Sequence, residues 1–381
     1  MKVRTRDFIY TKDDLFFAST NYIHPEDRFI SFLRYIPNEN GDRTKNGKKY
    51  SKVTSEEAYD YLRKNHPEYL YFCDISQVEM MGVPKNKVQE IIKPEERLSE
   101  IMNDEKERSS NNQLIDKLLK IADFFHYKAG INYKNLGISG SILPKLQKDT
   151  VSDIDFVVYG LENHRKAMET FKKFKGKEVE INKIEVINNE NKKFKTNKKS
   201  EIKKITLSPI KDEYWEKVYN KRMKDSSLTK EEFCWYEDRK NNRGIIEGTL
   251  FDILATRNWD EIEGEWGGDT RYEPVGIAKV ETVVENAIAS FDNPATYKVK
   301  DLKVLKVDKG GNEKLINKVN EISSFTHTYA GQAIENEKII AKGKVERVLK
   351  GKGQNKEESY RLIVGTTRES INEYIKLKNI P

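Results

Sequence analysis

Only two cysteines, Cys73 and Cys234, occur among the 381 residues. That excludes a disulfide scaffold and any structural zinc site of four cysteines. It reads as a reduced, cytoplasmic chain. No run of 18 apolar residues occurs, so no transmembrane helix and no membrane partner is expected. Met1-Lys2-Val3-Arg4 is followed by no apolar signal core. The five histidines, His126 and His327 among them, show no metal-ligand spacing and read as structural. Walker A, dinucleotide-fingerprint and cysteine–histidine nucleophile patterns are all absent. Glutamine is scarce, whereas lysine and glutamate abound, which suits a thermophile. The many asparagines do not.

What is present is charge. Charged residues are 34% of the chain and hydrophobic residues 36%, with a net charge of +7. Residues 165–204 hold fourteen Lys or Arg against six Glu, a local net of +8, so the remainder is close to neutral. Such a segment is either the footprint of a polyanion or a solvated loop.

The length predicts two or three domains. Residues 1–93 read as a mixed α/β unit. Its strands are expected at 14–18, 28–36 and 69–76. A helix should open at the capping box Thr54-Ser55-Glu56-Glu57, and a short helix should run over 84–92. Residues 94–272 read as a second domain, with the basic segment as an insertion. A polar helix over 94–108 should link the two. A core helix should follow, with Leu114, Leu118, Ile121, Phe124 and Phe125 on one face. Another helix should cover 161–174, and 188–204 should be a low-complexity loop. Residues 273–381 read as a β-rich, barrel-like domain with strands near 275–291, 297–307, 325–333, 339–349 and 360–364.

One stretch carries chemistry: Leu136-Gly137-Ile138-Ser139-Gly140-Ser141, then Ser152-Asp153-Ile154-Asp155-Phe156-Val157-Val158. The first part predicts a strand ending at Gly140-Ser141. A helix should begin there, with Pro144 in its first turn. Gly140 and Ser141 would then offer backbone N–H groups and a hydroxyl to a triphosphate. Asp153 and Asp155, spaced i and i+2 on a strand, face one side, roughly 6.5 to 7 Å apart. Two carboxylates at that spacing repel unless a cation joins them. Oxygen ligands suit Mg2+ or Mn2+.

Gly-Ser, eleven residues, then Asp-Ile-Asp and an apolar run resembles the signature of the polymerase-beta-like nucleotidyltransferases. The whole chain is similar to an uncharacterised archaeal group of predicted nucleotidyltransferases. The resemblance implies an α+β multidomain protein with a central polymerase-beta-like domain. It implies transfer of an NMP from an NTP to a hydroxyl, with release of pyrophosphate. Gly140 and Ser141 would hold the triphosphate, and Asp153 and Asp155 the metals. The family's third carboxylate is assigned to Asp252, flanked by Leu250-Phe251 and Ile253-Leu254, with Glu180 and Glu185 as alternatives. RNA such as tRNA is the expected acceptor. A protein acceptor, or a non-catalytic nucleotide- or RNA-binding protein of the same fold, are the alternatives. Arg239, Lys240 and Arg243 read either as phosphate contacts or as a solvated turn. Trp235-Tyr236 and residues 325–329 read either as base-stacking surfaces or as core.

Overall fold

A computed structural model describes residues 1–73, 78–109, 112–187, 197–264, 270–351, 357–365 and 370–380, with backbone alone at 108–109, 183–187 and 197–201. It is a mixed α/β protein with three sheets.

The N-terminal sheet contains β1 (Phe8–Thr11), β2 (Phe16–Ser19), β3 (Arg28–Pro37), β4 (Arg43–Lys45), β5 (Lys48–Lys52), β6 (Leu70–Cys73), β7 (Val78–Pro84) and β8 (Val88–Ile92). Helix α1 (Ser55–Asn65) lies between β5 and β6, and its Thr54/Glu57 capping box forms as the spacing predicts. Strand β3 is long enough to serve two partners. Arg28–Ile30 pair with β7 and Tyr35–Pro37 with β5. The expected helix at 84–92 is a strand preceded by a short 3-10 turn. Val88, Ile91 and Ile92 are β-branched and favour the sheet. Leu15, Phe17, Leu33, Ala58, Leu62 and Tyr69 fill the core.

The second sheet has the order β11-β12-β13-β14-β10-β9. Its strands are β9 (Leu136–Ile138), β10 (Ile154–Tyr159), β11 (Lys177–Ile187), β12 (Asn197–Ser208), β13 (Arg243–Ile246) and β14 (Thr249–Thr256). The helices here are α2 (Pro94–Asn103), α3 (Glu105–Ser109), α4 (Gln113–Ala129) and α5 (Leu161–Phe174). Asn112 caps α4 with its side chain, and Gly130 ends it in the left-handed region. Helix α2 is no linker: it buries Arg97, Leu98 and Ile101. Gly137 of β9 lies so close to Pro94 that a Cβ there would stand 2.8 Å from it. Residues 197–204, expected as loop, belong to β12. The rest of that expected loop, 188–196, lies outside the described residues. The β13–β14 hairpin turns on Glu247-Gly248, both at positive φ, as a tight two-residue hairpin requires.

Helices α6 (Asp212–Arg222) and α7 (Lys230–Lys240) precede β13 in sequence. They were expected with the second domain. Leu228, Phe233 and Tyr236 instead join the core of the C-terminal strands. Those strands are β15 (Arg271–Asn286), β16 (Ala295–Val307), β17 (Glu321–Ser324), β18 (Lys338–Lys350), β19 (Glu357–Val364) and β20 (Tyr374–Leu377), with α8 (Glu313–Ile316) between β16 and β17. The expected strand at 325–333 is mostly irregular, and β17 lies just before it. The order β15-β16-β17-β19-β18 closes on itself through β15–β18 pairing. All these pairs are antiparallel except β17–β19. This is a closed five-stranded barrel with β20 added beside β18.

Contacts divide the chain into two compact units. One comprises Met1–Ile91, Lys211–Lys240 and Ala255–Pro381, and the other Ile92–Ile210 and Asn241–Leu254.

His24 gives the first unit a pH dependence. Its Nδ1 accepts from Ile30 N–H at 3.0 Å, and its Nε2 lies 3.1 Å from Val3 O. Burial pushes its pKa down to about 4 from 6.5. Between those values the unfolded chain holds the proton and the folded one does not. Stability therefore rises with pH across that window, by up to about 1.4 kcal/mol per unit. Urea denaturation at pH 5 and pH 7 should show a wild-type difference that shrinks in His24→Gln. An equal difference in both would remove His24 from the account.

Candidate active site

Burial fixes the chemical motif in place. Phe156, Val157 and Val158 pair with Ile138, Gly137 and Leu136. Phe156 and Val158 of β10 lie in the hydrophobic core together with Leu136 and Ile138 of β9. The head of β10 is thereby held at the end of β9. Ser139 N–H continues the ladder by donating to Asp155 O at 2.9 Å. Gly140 comes next, at φ +62°, and a Cβ there would overlap the Asp155 carboxylate. Only glycine lets the chain pass so near that side chain. Asp155 is half-buried, and Asp153, one residue before the strand, is exposed.

The helix expected from Gly140-Ser141 does not form. Residues 140–145 are turns, closed by Leu146 N–H donating to Ser141 O at 2.9 Å and Lys145 N–H to Ile142 O at 3.1 Å. Pro144 supplies no N–H, and Lys145 sits at φ +58°, which ends any helical run. A triphosphate seat here would thus rest on turn N–H groups without a helix dipole. Ser141 is buried, and its hydroxyl donates to Ser152 Oγ at 3.2 Å. Ser152 Oγ also accepts from Lys148 N–H at 2.9 Å. The serine just before Asp153 therefore ties the loop to the strand head.

Helix α2 braces the same turn, a role that no sequence signal marked. Buried Arg97 donates from Nε to Ile142 O at 3.4 Å and pairs with Glu100 and Glu107. Lys145 Nζ reaches Glu100 at 2.5 Å. Burial opposes ionisation of Glu100, but Lys145 and Arg97 outweigh it and its pKa falls.

Asp252 lies on β14, the neighbour of β10 in the sheet. It is 7% exposed. Arg243, directly opposite on β13, holds it through two contacts, Nε to Oδ1 and Nη2 to Oδ2, the latter at 2.6 Å. Glu180 is remote: β11 is the far edge strand, and exposed Glu180 pairs with Lys204 at 3.2 Å. The Glu185 side chain lies outside the described residues. The structure thus puts Gly140, Asp155 and Asp252 on three consecutive strands or their ends, and leaves Glu180 out.

Arg239 and Lys240, the other cations that the sequence singles out, are paired. Arg239 pairs with Glu337 at 2.7 Å, and buried Lys240 donates to Glu237 and Thr328 O. Neither lies in a solvated turn. Tyr236 is buried, its hydroxyl accepting from Leu377 N–H, and Tyr329 is core, whereas Phe325 is 51% exposed. His126 stacks on Tyr133 and bonds Ile131 O, a structural role. A separate group in the first unit, Asp13, His66 and Glu68, has metal-like spacing. Lys87 reaches Asp13 at 3.1 Å and Glu68 at 3.2 Å, so a cation already balances those acids. No helix among the described residues is long and apolar enough to cross a membrane.

Comparison with known proteins gives one relationship across the full chain. The chain is 42% identical, over 387 aligned positions, to an uncharacterized protein of Methanocaldococcus jannaschii, MJ1086. The chain belongs to the family of that protein. The alignment takes in 99% of this chain and all of the relative, so it spans both units. No family model matches the chain, and no solved structure matches it.

The approach of Gly140 to Asp155 can be tested against a reference glycine. Gly130 also has positive φ, +69°, but a Cβ there would meet nothing within 4 Å. Gly130→Ala should cost only the backbone term, about 1 kcal/mol. Gly140→Ala should cost clearly more in urea denaturation, because the carboxylate must also move. Equal costs would show that the close approach is not needed.

Proposed function

We propose that the second unit is a polymerase-beta-like nucleotidyltransferase domain, which moves an NMP from an NTP onto a hydroxyl. The observation that carries this is the Asp153–Asp155 pair at the head of β10, beside the Gly140 turn, with Asp252 on the next strand. Asp153, Asp155 and Asp252 offer carboxylate oxygens, the donors that a hard divalent cation takes. Asp153 and Asp155 would hold Mg2+ or Mn2+, with Asp252 sharing it. Bound there, the metal would supply charge neutralisation for the phosphates and the attacking hydroxyl. Gly140 keeps the backbone low enough for phosphate oxygens to approach. Turn N–H groups donate to those oxygens. Ser141 and Ser152 hold the turn in shape, with Arg97 beneath it. Asp252 takes the proton of the attacking hydroxyl once it is released from Arg243.

The Arg243 pair favours one second reading. While Arg243 holds Asp252, the third carboxylate is neutralised by the protein itself. A non-catalytic nucleotide-binding protein of this fold would look the same. RNA, tRNA included, is the proposed acceptor, and a protein acceptor is the alternative.

One assay separates these readings. Pure protein is incubated with each labelled NTP, Mg2+ or Mn2+, and total RNA or total protein. Transfer by wild type and not by Asp153→Ala/Asp155→Ala is expected, and the labelled pool names the acceptor. Asp252→Asn should lower the rate by about 10²–10⁴ with little change in NTP affinity. NTP binding without any transfer would establish the non-catalytic reading, and neither would end both.

A further inference from the structure

The outer face of the C-terminal barrel carries an arrangement that folding alone does not favour. Lys279 of β15 stands directly opposite Lys306 of β16 on one side. On the other side it stands opposite Lys342 of β18. Three lysines therefore form one row across three adjacent strands, spaced about 4.8 Å apart at the backbone. Lys279 and Lys342 point outward, because Ala278, Val280 and Ala341 beside them are buried in the barrel core, and Lys306 is exposed beside a register shift that leaves Leu305 exposed next to it. Like charges directly opposite one another on antiparallel strands destabilise a sheet. No acidic partner relieves any of these three among the described residues.

The rows on either side hold further lysines, now mixed with acids: Lys303 stands opposite Glu281. Lys303 and Lys300 are exposed on β16, and Lys344 and Lys338 flank the row on β18. Those flanking lysines have partners: Glu281 is bonded to Lys378 at 2.7 Å and lies 3.9 Å from Lys338, and Lys344 pairs with Glu346 at 2.9 Å. Two apolar side chains sit among the cations: Ile277 is 45% exposed and Leu305 39% exposed.

We propose that this face binds single-stranded nucleic acid, with the Lys306–Lys279–Lys342 row on the phosphate backbone and Leu305 and Ile277 under the bases. Three observations select that partner. A line of fixed cations at sub-nanometre spacing matches a chain of phosphates, which carries a charge about every 3.4 Å of axis per strand. Apolar side chains between the cations give base faces a van der Waals contact, and the face is a sheet rather than the amphipathic helix that lies in a membrane surface. Five-stranded Greek-key barrels of the OB type bind oligonucleotides on the face of their second and third strands, and β16, the second strand here, carries Lys300, Lys303 and Lys306. The lysine row explains itself in this way: a polyanion removes the repulsion that the empty face must bear. This site is separate from the proposed chemistry of the second unit and stands without it.

The test is fluorescence anisotropy of the full chain with a short labelled oligouridylate, its thymidylate counterpart, a duplex of the same length and phosphatidylserine vesicles. Wild type should bind the single strands, more weakly as salt rises between about 50 and 200 mM. Lys279→Ala/Lys306→Ala/Lys342→Ala should bind about tenfold or more weakly at low salt. Its log–log salt slope should be shallower by about 2, three phosphates at about 0.7 each. Its melting temperature should be unchanged or higher, since a repulsive row has gone. A control triple variant, Lys12→Ala/Lys64→Ala/Lys211→Ala, removes the same charge elsewhere on this unit and should bind like wild type. No binding by wild type, equal loss in the control, or binding to vesicles and not to oligonucleotides would overturn the proposal. The uridylate and thymidylate arms separate RNA from DNA.

Discussion

The pairing of β9 with β10 is the constraint on which the candidate site depends. It involves three residue pairs, yet Leu136, Ile138, Phe156 and Val158 are all buried. A strand whose side chains are locked in the core cannot slip, because a one-residue slip would put every inward side chain on the wrong face. The ends of the two strands are therefore fixed relative to each other. Gly140 is pressed against Asp155 as a result, and Asp153 projects where the core stops.

Everything else around the turn secures that arrangement. Helix α2 packs on β9 through Pro94 and Gly137 and sends Arg97 to the carbonyl of Ile142. A buried guanidinium is costly unless it is paired, and Arg97 has Glu100 and Glu107. The price of burying that charge is met only when the turn and both glutamates are in place, so helix, turn and strand form one unit. Ser141 and Ser152 close the loop from the other side.

The barrel obeys a different rule. Its inner face is a continuous apolar core, with Val280, Tyr297, Ile322, Val345 and Leu362 at its centre. Its outer face carries both signs, yet sets Lys306, Lys279 and Lys342 of β16, β15 and β18 in one row. A sheet selected only for stability would not place like charges directly opposite one another. The two faces therefore answer to separate demands, the inner to packing and the outer to electrostatics.

Sequence by itself determined the local features. The capping box at Thr54, the helix at 161–174 and strands near 28–36, 297–307 and 339–349 follow from side-chain periodicity and capping chemistry, which act over a few residues. The order Gly140-Ser141 then Asp153-Ile154-Asp155 was likewise plain. Tertiary structure decided the rest. Pro144 and Lys145 turned an expected helix into bonded turns. Residues 88–92 became a strand because a sheet edge was there to receive them. Helices α6 and α7 joined the C-terminal core, although the chain next returns to the other unit, because apolar faces pack by surface and not by sequence order. The contact of Arg243 with Asp252, the reach of Arg97 to Ile142 and the row Lys306–Lys279–Lys342 arise from strand register and helix packing. Register joins residues as far apart as 279 and 342, and no local spacing encodes it.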